Sequence, residues 1–154
     1  MGVTTPFERI VVAYDASPNA EMALDRAIAM ARSWSVPLTI LTVMPGPVLW
    51  AVGPMPPVLP NDETERAIHE LLEKARLKAE ASGAREVSSV ALSGHAADEI
   101  LKYLDEEHVD LIVMGSRGYS PVGRLLLGSV SDAVVHHTHS AVLIVRPVAG
   151  PSRS

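Results

Sequence analysis

The residues whose types and spacing could do chemistry lie between Val109 and Val130: Gly115-x-x-Gly118, nine residues, then Gly128-Ser129. Leu111 to Met114, just before them, is an uninterrupted apolar run with β-branched members, the pattern of a strand buried on both faces. It stops at Gly115. Glycine accepts positive φ and lets a ligand reach the backbone without meeting a Cβ, so successive bare amides can converge on an anion. Gly128 and Ser129 open a second helical stretch, with Ser129 expected as N-cap and Asp132 three residues on, the spacing of a capping box. The unpaired N–H groups of such a first turn, together with the helix dipole, make a phosphate seat. Gly123-x-x-x-x-Gly128-Ser129 imitates half of a P-loop, but no lysine precedes the serine and the Walker reading fails. The plainer alternative, glycines that only turn a loop, accounts less well for three of them at this spacing beside a serine.

The rest of the chain supplies the elements that must hold these residues. Ile10 to Tyr14 reads as a strand ending at Asp15, and Ser17-Pro18 as the N-cap and first position of a helix running to about Trp34, with an apolar face of Met22, Ala23, Ile28, Ala29 and Ala31. Leu38 to Met44 is a second strand. The Pro-rich loop 45–60 is too rich in proline for a regular ladder and, with Val48, Leu49, Trp50, Val52 and Val58, too apolar for a plain linker. It reads either as a flap or partner contact, or as an insertion folded on its own side chains. Asn61 to Ser82 is a surface helix with Ile68, Leu71, Leu72, Ala75 and Ala79 at helical spacing and Gly83 beyond its end. Glu86 to Leu92 reads as an edge or near-edge strand, Ala96 to Glu106 as a helix burying Ile100, Leu101 and Leu104, and Asp110 to Met114 as the central strand. A helix from Ser129 and a last strand, Ala141 to Val145, complete a β-α-β-α-β-α-β-α-β order. That order means an α/β fold: a doubly wound, five-stranded parallel sheet with helices on both faces and right-handed crossovers.

Composition narrows the function. At 154 residues the chain is one domain, 1–154, with a core of about 7–147 and a flexible tail 148–154. It has no cysteine, which excludes disulfides, zinc–thiolate sites and thiol nucleophiles. A net charge of −5, from 18 acidic and 13 basic residues, argues against nucleic acid as a partner. Residues 1–7 lack a signal peptide's features and no apolar run reaches the ~18 residues of a membrane span, so no membrane role and a cytoplasmic location are expected. His136, His137 and His139 invite a metal reading, but helical neighbours diverge by about 100°, and imidazolium at a helix C-terminus is the better account. No dedicated metal cage is expected.

Together with the opening Ile10-Val11-Val12-Ala13-Tyr14-Asp15-Ala16-Ser17 and the ending Ala141-Val142-Leu143-Ile144-Val145-Arg146-Pro147, the glycine spacing resembles the nucleotide-binding signature of the universal stress protein family, in its ATP-binding branch. The resemblance covers Phe7 to Pro147. It implies strand order 3-2-1-4-5, a Rossmann-like sheet similar to that of the adenine nucleotide alpha hydrolases, with Asp15 and Gly115 facing one crevice at the switch point. It implies ATP, or AMP or a cyclic nucleotide, as ligand, with Mg²⁺ or Mn²⁺ held through the phosphates. The cofactor-binding positions it implies are Ala13, Tyr14, Asp15 and Val43 for the nucleoside half, Met114 and Gly115 for the opposite wall, and Arg117 and the amides of Gly118, Gly128, Ser129 and Val130 for the phosphates, with Arg124 close by. It also implies a homodimer through Ala141 to Val145, an edge hazardous to leave bare. No nucleophile with a nearby base can be argued, so no catalytic residue is assigned. The reading is a stress-response module whose nucleotide occupancy regulates oligomer or partner interaction. The alternatives are a weak ATPase, with at most slow ATP hydrolysis, and a nucleotide-free dimeric scaffold.

Overall fold

The computed structural model describes residues 4–45, 62–116 and 127–147. Expectations for the Pro-rich segment, for Arg117, Gly118 and Arg124, and for the tail lie outside those residues. The described elements are β1 (Ile10–Ala13), α1 (Pro18–Trp34), β2 (Leu38–Pro45), α2 (Asp62–Ala81), β3 (Val87–Gly94), α3 (Ala96–Glu106), β4 (Leu111–Gly115), α4 (Ser129–His137) and β5 (Ala141–Val145). The strands form one five-stranded sheet of order β3-β2-β1-β4-β5, every pairing parallel. β1 sits between β2 and β4 in register Val12↔Ile40 and Val12↔Val113. Its Ile10, Val11 and Val12 are almost wholly buried, which is why the sequence shows an unbroken apolar run there instead of alternation.

Period-2 alternation sends successive side chains to opposite layers. Ile10, Val12 and Tyr14, with Leu38, Ile40, Leu111 and Val113, pack with α1 and α2. Val11, Leu41, Ile112 and Met114 pack with Ile100 and Leu104 of α3 and Val134 of α4. The α1 face differs in detail from expectation. Met22 is half-buried and Ala29 exposed, whereas Ala20, Leu24 and Ala27 join Ala23, Ile28 and Ala31 in the core. Four of those six are alanines, which lets the helix axis approach the sheet closely.

Three helices end on a left-handed residue. Ser35 (φ 54°), Gly83 (φ 96°) and His108 (φ 50°) each follow a helix whose next residue donates back into the last turn: Val36 to Ala31, Ala84 to Ala79, Val109 to Leu104. These are Schellman closures, and the donors Val36, Ala84 and Val109 are themselves buried. At the amino end of the sheet the Asp110 carboxylate accepts the backbone N–H of Glu8 at 2.6 Å and of Arg9 at 2.8 Å, pinning the entry to β1 beside β4. Among the described residues no helix is long and apolar enough to cross a membrane.

Candidate functional site

Strand order places the carboxyl ends of β1 and β4 side by side where the winding reverses, and there a cavity of about 360 Å³ opens. Its floor is Ala13, Leu41, Thr42 and Val43 at the ends of β1 and β2, and Met114 and Gly115 at the end of β4. Ala96 and Ile100 of α3 form one wall, and Gly128 to Ser131 at the start of α4 another. Of the expected positions, the structure brings together Ala13, Tyr14, Asp15, Val43, Met114, Gly115, Gly128, Ser129 and Val130 around this one space. Arg117 and Gly118 lie outside the described residues. Sequence reasoning missed Thr42, Ala96, Ile100 and Ser131. The first three follow only from register and from how α3 crosses the sheet, and carry no motif. Ser131 had a usable signal, its place inside the first turn after Gly128.

The turn after β1 is built by Asp15, Ala16 and Ser17. Asp15 Oδ1 accepts the Ser17 N–H at 2.9 Å, and Ala16 takes φ 62°, a left-handed conformation that costs a non-glycine residue about 1–2 kcal/mol. Ser17 then caps α1, its buried hydroxyl accepting the Ala20 N–H at 3.2 Å, with Pro18 at the first helical position as expected. One carboxylate oxygen of Asp15 thus organises the turn, while the residue stays exposed at the cavity rim. Tyr14 borders the cavity, but its ring lies in the α1-side core and its hydroxyl bonds Glu21. Glu21 in turn meets Lys78 at 3.1 Å, and Lys78 meets Asp25 at 2.8 Å. The hydrogen bond to Asp25, more than any other contact, raises the Lys78 ammonium above its usual pKa, with burial opposing.

The start of α4 differs from expectation in two ways. Its N-cap is Gly128, in extended conformation (φ −62°, ψ 157°), and not Ser129, which is the first helical residue. The chain enters the helix one residue early because the Gly128 carbonyl already accepts the Asp132 N–H at 2.9 Å, so no Ser129–Asp132 capping box forms. The Gly128 amide is also already engaged, donating to the Ser116 carbonyl at 2.8 Å. The first-turn residues that line the cavity, at a helix start whose amides have no side-chain cap, are therefore Ser129, Val130 and Ser131. The Ser131 hydroxyl donates to the Gly115 carbonyl at 2.9 Å, tying this turn to the end of β4. Neither Gly115 nor Gly128 has positive φ; that conformation belongs to Gly83 and Gly94 among the described glycines. Gly115 is required by packing: a Cβ there would lie 2.8 Å from Asn19 Cβ and 2.9 Å from the Asn19 backbone.

Uncapped helix-start amides beside a mostly apolar slot can hold an anionic group attached to a flat, apolar one. The histidines take other partners. His136 Nδ1 lies 2.8 Å from the Asp132 carbonyl and His139 Nδ1 lies 3.6 Å from Asp105. No cluster of three or more metal-ligating side chains occurs among the described residues.

Comparison with known proteins agrees with the fold. A universal stress protein of Thermus aquaticus is 37% identical over 144 residues, covering 91% of this chain and 99% of its own. A crystal structure of a universal stress protein in complex with cAMP superposes with TM-score 0.71 at 28% identity, over 91% of this chain and 97% of its own. A universal stress protein of Archaeoglobus fulgidus in complex with dAMP gives TM-score 0.67 at 27% identity, over 90% and 97%. Residues 6–146 match the profile of the Universal stress protein family, and the chain belongs to that family.

Proposed function

We propose that this protein is an adenine-nucleotide-binding module, with the base in the slot floored by Ala13, Val43 and Met114 and a phosphate on the first turn of α4. The observation that carries this reading is the coincidence, in one cavity of about 360 Å³, of that apolar slot and the uncapped amides of Ser129, Val130 and Ser131. Ligand pockets typically measure about 300–1,000 Å³, so the space suits one small ligand. The relatives described as holding cAMP and dAMP support an adenine nucleotide. ATP is the ligand we favour, with Mg²⁺ or Mn²⁺ coordinated by its phosphates and water. Asp15 and Tyr14 border the nucleoside half, and Arg117 and Gly118 follow β4 in sequence as further phosphate contacts.

Occupancy of the site regulates assembly in this reading. β5 pairs with β4 alone among the described strands, and two copies joining through Ala141 to Val145 would cover its outer edge. The chain works in the cytoplasm as a stress-response switch, holding the nucleotide in preference to turning it over.

Titration calorimetry with ATP, AMP and cAMP, with and without Mg²⁺, tests the ligand. One site per chain is expected for at least one of them, and no heat from any of the three overturns the reading. Ser129→Pro locates the phosphate. Proline is tolerated at a first helical position after an extended residue, so the variant deletes one amide donor and keeps the helix. Affinity should fall about tenfold relative to Ser129→Ala, or about 1.4 kcal/mol.

A further inference from the structure

On one layer of the sheet α1 packs over β1 and β4 and α2 over β2 and β3, but β5 is only flanked by α1. Of its residues on that side Ala141 and Leu143 stay exposed, Leu143 by 37%, and only Val145 at the carboxyl end is buried. Between this partly uncovered strand and α1 runs a groove of about 570 Å³, bordered by Arg26, Met30, Trp34, Leu143, Val145 and Arg146. Arg26, Met30 and Trp34 recur at four-residue spacing, so they form one stripe along α1, about 12 Å long at 1.5 Å per residue. α1 runs antiparallel to the strands. Arg26 therefore lies toward the carboxyl end of β5, the end that Arg146 follows, while Trp34 lies toward its amino end. The groove is basic at one pole and aromatic at the other. Neither arginine makes an ion pair or hydrogen bond with another described residue, and both are exposed.

A helix is the element that completes a layer over an uncovered strand, packing about 8–10 Å from its neighbour. We infer that this groove is a docking surface for an amphipathic helix of a partner protein, one whose apolar stripe lies on Met30, Trp34 and Leu143 and whose carboxylates meet Arg26 and Arg146. The choice of an acidic partner rests on charge: two guanidinium groups with no partner among the described residues border a mostly apolar shelf, in a chain whose net charge is −5. Carboxylates there gain charge-assisted, bidentate bonds, whereas ammonium groups are repelled. The surface lies away from the nucleotide cavity and does not depend on it.

The test uses fluorescence anisotropy of the full-length protein with a labelled helical peptide that has leucine along one face and glutamate elsewhere, against a twin with lysine for glutamate. The acidic peptide should bind at least about tenfold more tightly. The double variant Arg26→Glu and Arg146→Glu should reverse that preference, and Arg26→Gln with Arg146→Gln should abolish it, both with unchanged circular dichroism. Equal binding of the two peptides, or a preference that survives the charge reversal, overturns the inference. So does conversion of a dimer to a monomer by the double variant in sedimentation, which would make a second copy the occupant.

Discussion

Gly115 ends β4 against the backbone of Asn19, so closely that a Cβ on Gly115 would stand 2.8 Å from Asn19 Cβ and 2.9 Å from its carbonyl carbon and oxygen. Asn19 sits in the first turn of α1, and its backbone cannot rotate away as a side-chain tip could. Gly115→Ala should therefore push α1 off the sheet at the mouth of the cavity. The expected cost is about 1–3 kcal/mol, the usual range for overpacking. Urea unfolding would read it as a lower midpoint with unchanged slope, and a midpoint equal to that of the parent protein would refute it.

Gly128 invites the opposite experiment. Its extended dihedrals suit any residue, and it caps α4 without a side chain. Gly128→Asp should place a carboxylate on the Val130 or Ser131 amide. That stabilises α4 by a few tenths of a kcal/mol while filling the anion seat. Thermal stability should hold or rise as nucleotide affinity drops tenfold or more, at least about 1.4 kcal/mol. Calorimetry that finds undiminished affinity in this stable variant would place the phosphate elsewhere.

Ser35 and His108 close their helices in the left-handed region, where Gly83 closes α2. Both are exposed, so little packing is lost on truncation. Replacing either by glycine relieves about 1–2 kcal/mol of backbone strain and returns about 0.5–1 kcal/mol of unfolded-chain entropy. The net expectation for Ser35→Gly or His108→Gly is a gain of up to about 1 kcal/mol, visible as a raised melting temperature. A fall in either variant would contradict it.

Asp110 takes two adjacent backbone amides, of Glu8 and Arg9, that lie 102 and 101 residues before it. Asp110→Ala leaves the exposed Glu8 and Arg9 N–H groups to water and should cost about 0.5–1.5 kcal/mol. Asp110→Asn keeps one acceptor oxygen and should cost less. Hydrogen exchange at those two amides would localise the effect, and unchanged protection would disprove the clasp.

The fold was legible because its information is local and repeated. Four apolar runs and one partly alternating stretch, Glu86 to Leu92, gave the strands within one or two residues, and Ser17-Pro18 and Gly83 marked a helix start and a helix stop correctly. Strand order was legible only through the family resemblance, since no periodicity in β5 says that it neighbours β4. The site was half legible. The glycine and serine positions drew attention to the right turn, but for a reason the structure changes: Gly115 makes room for Asn19, and Gly128 spends its amide on Ser116. Both facts depend on residues distant in sequence. Thr42, Ala96 and Ile100 were invisible because small or apolar residues at an element's end look the same whether they face a core or a ligand.

The peptide planes on either side of Ser116 touch two parts of the molecule at once. Its N–H donates to Val145 at the tip of β5, at 3.0 Å, and its carbonyl receives the Gly128 N–H at the head of α4. One residue is thus a rivet through both the outermost strand and the turn that faces the cavity. Displacing that turn stretches the rivet, and the outer rim of the sheet must then either travel with it or lose a bond.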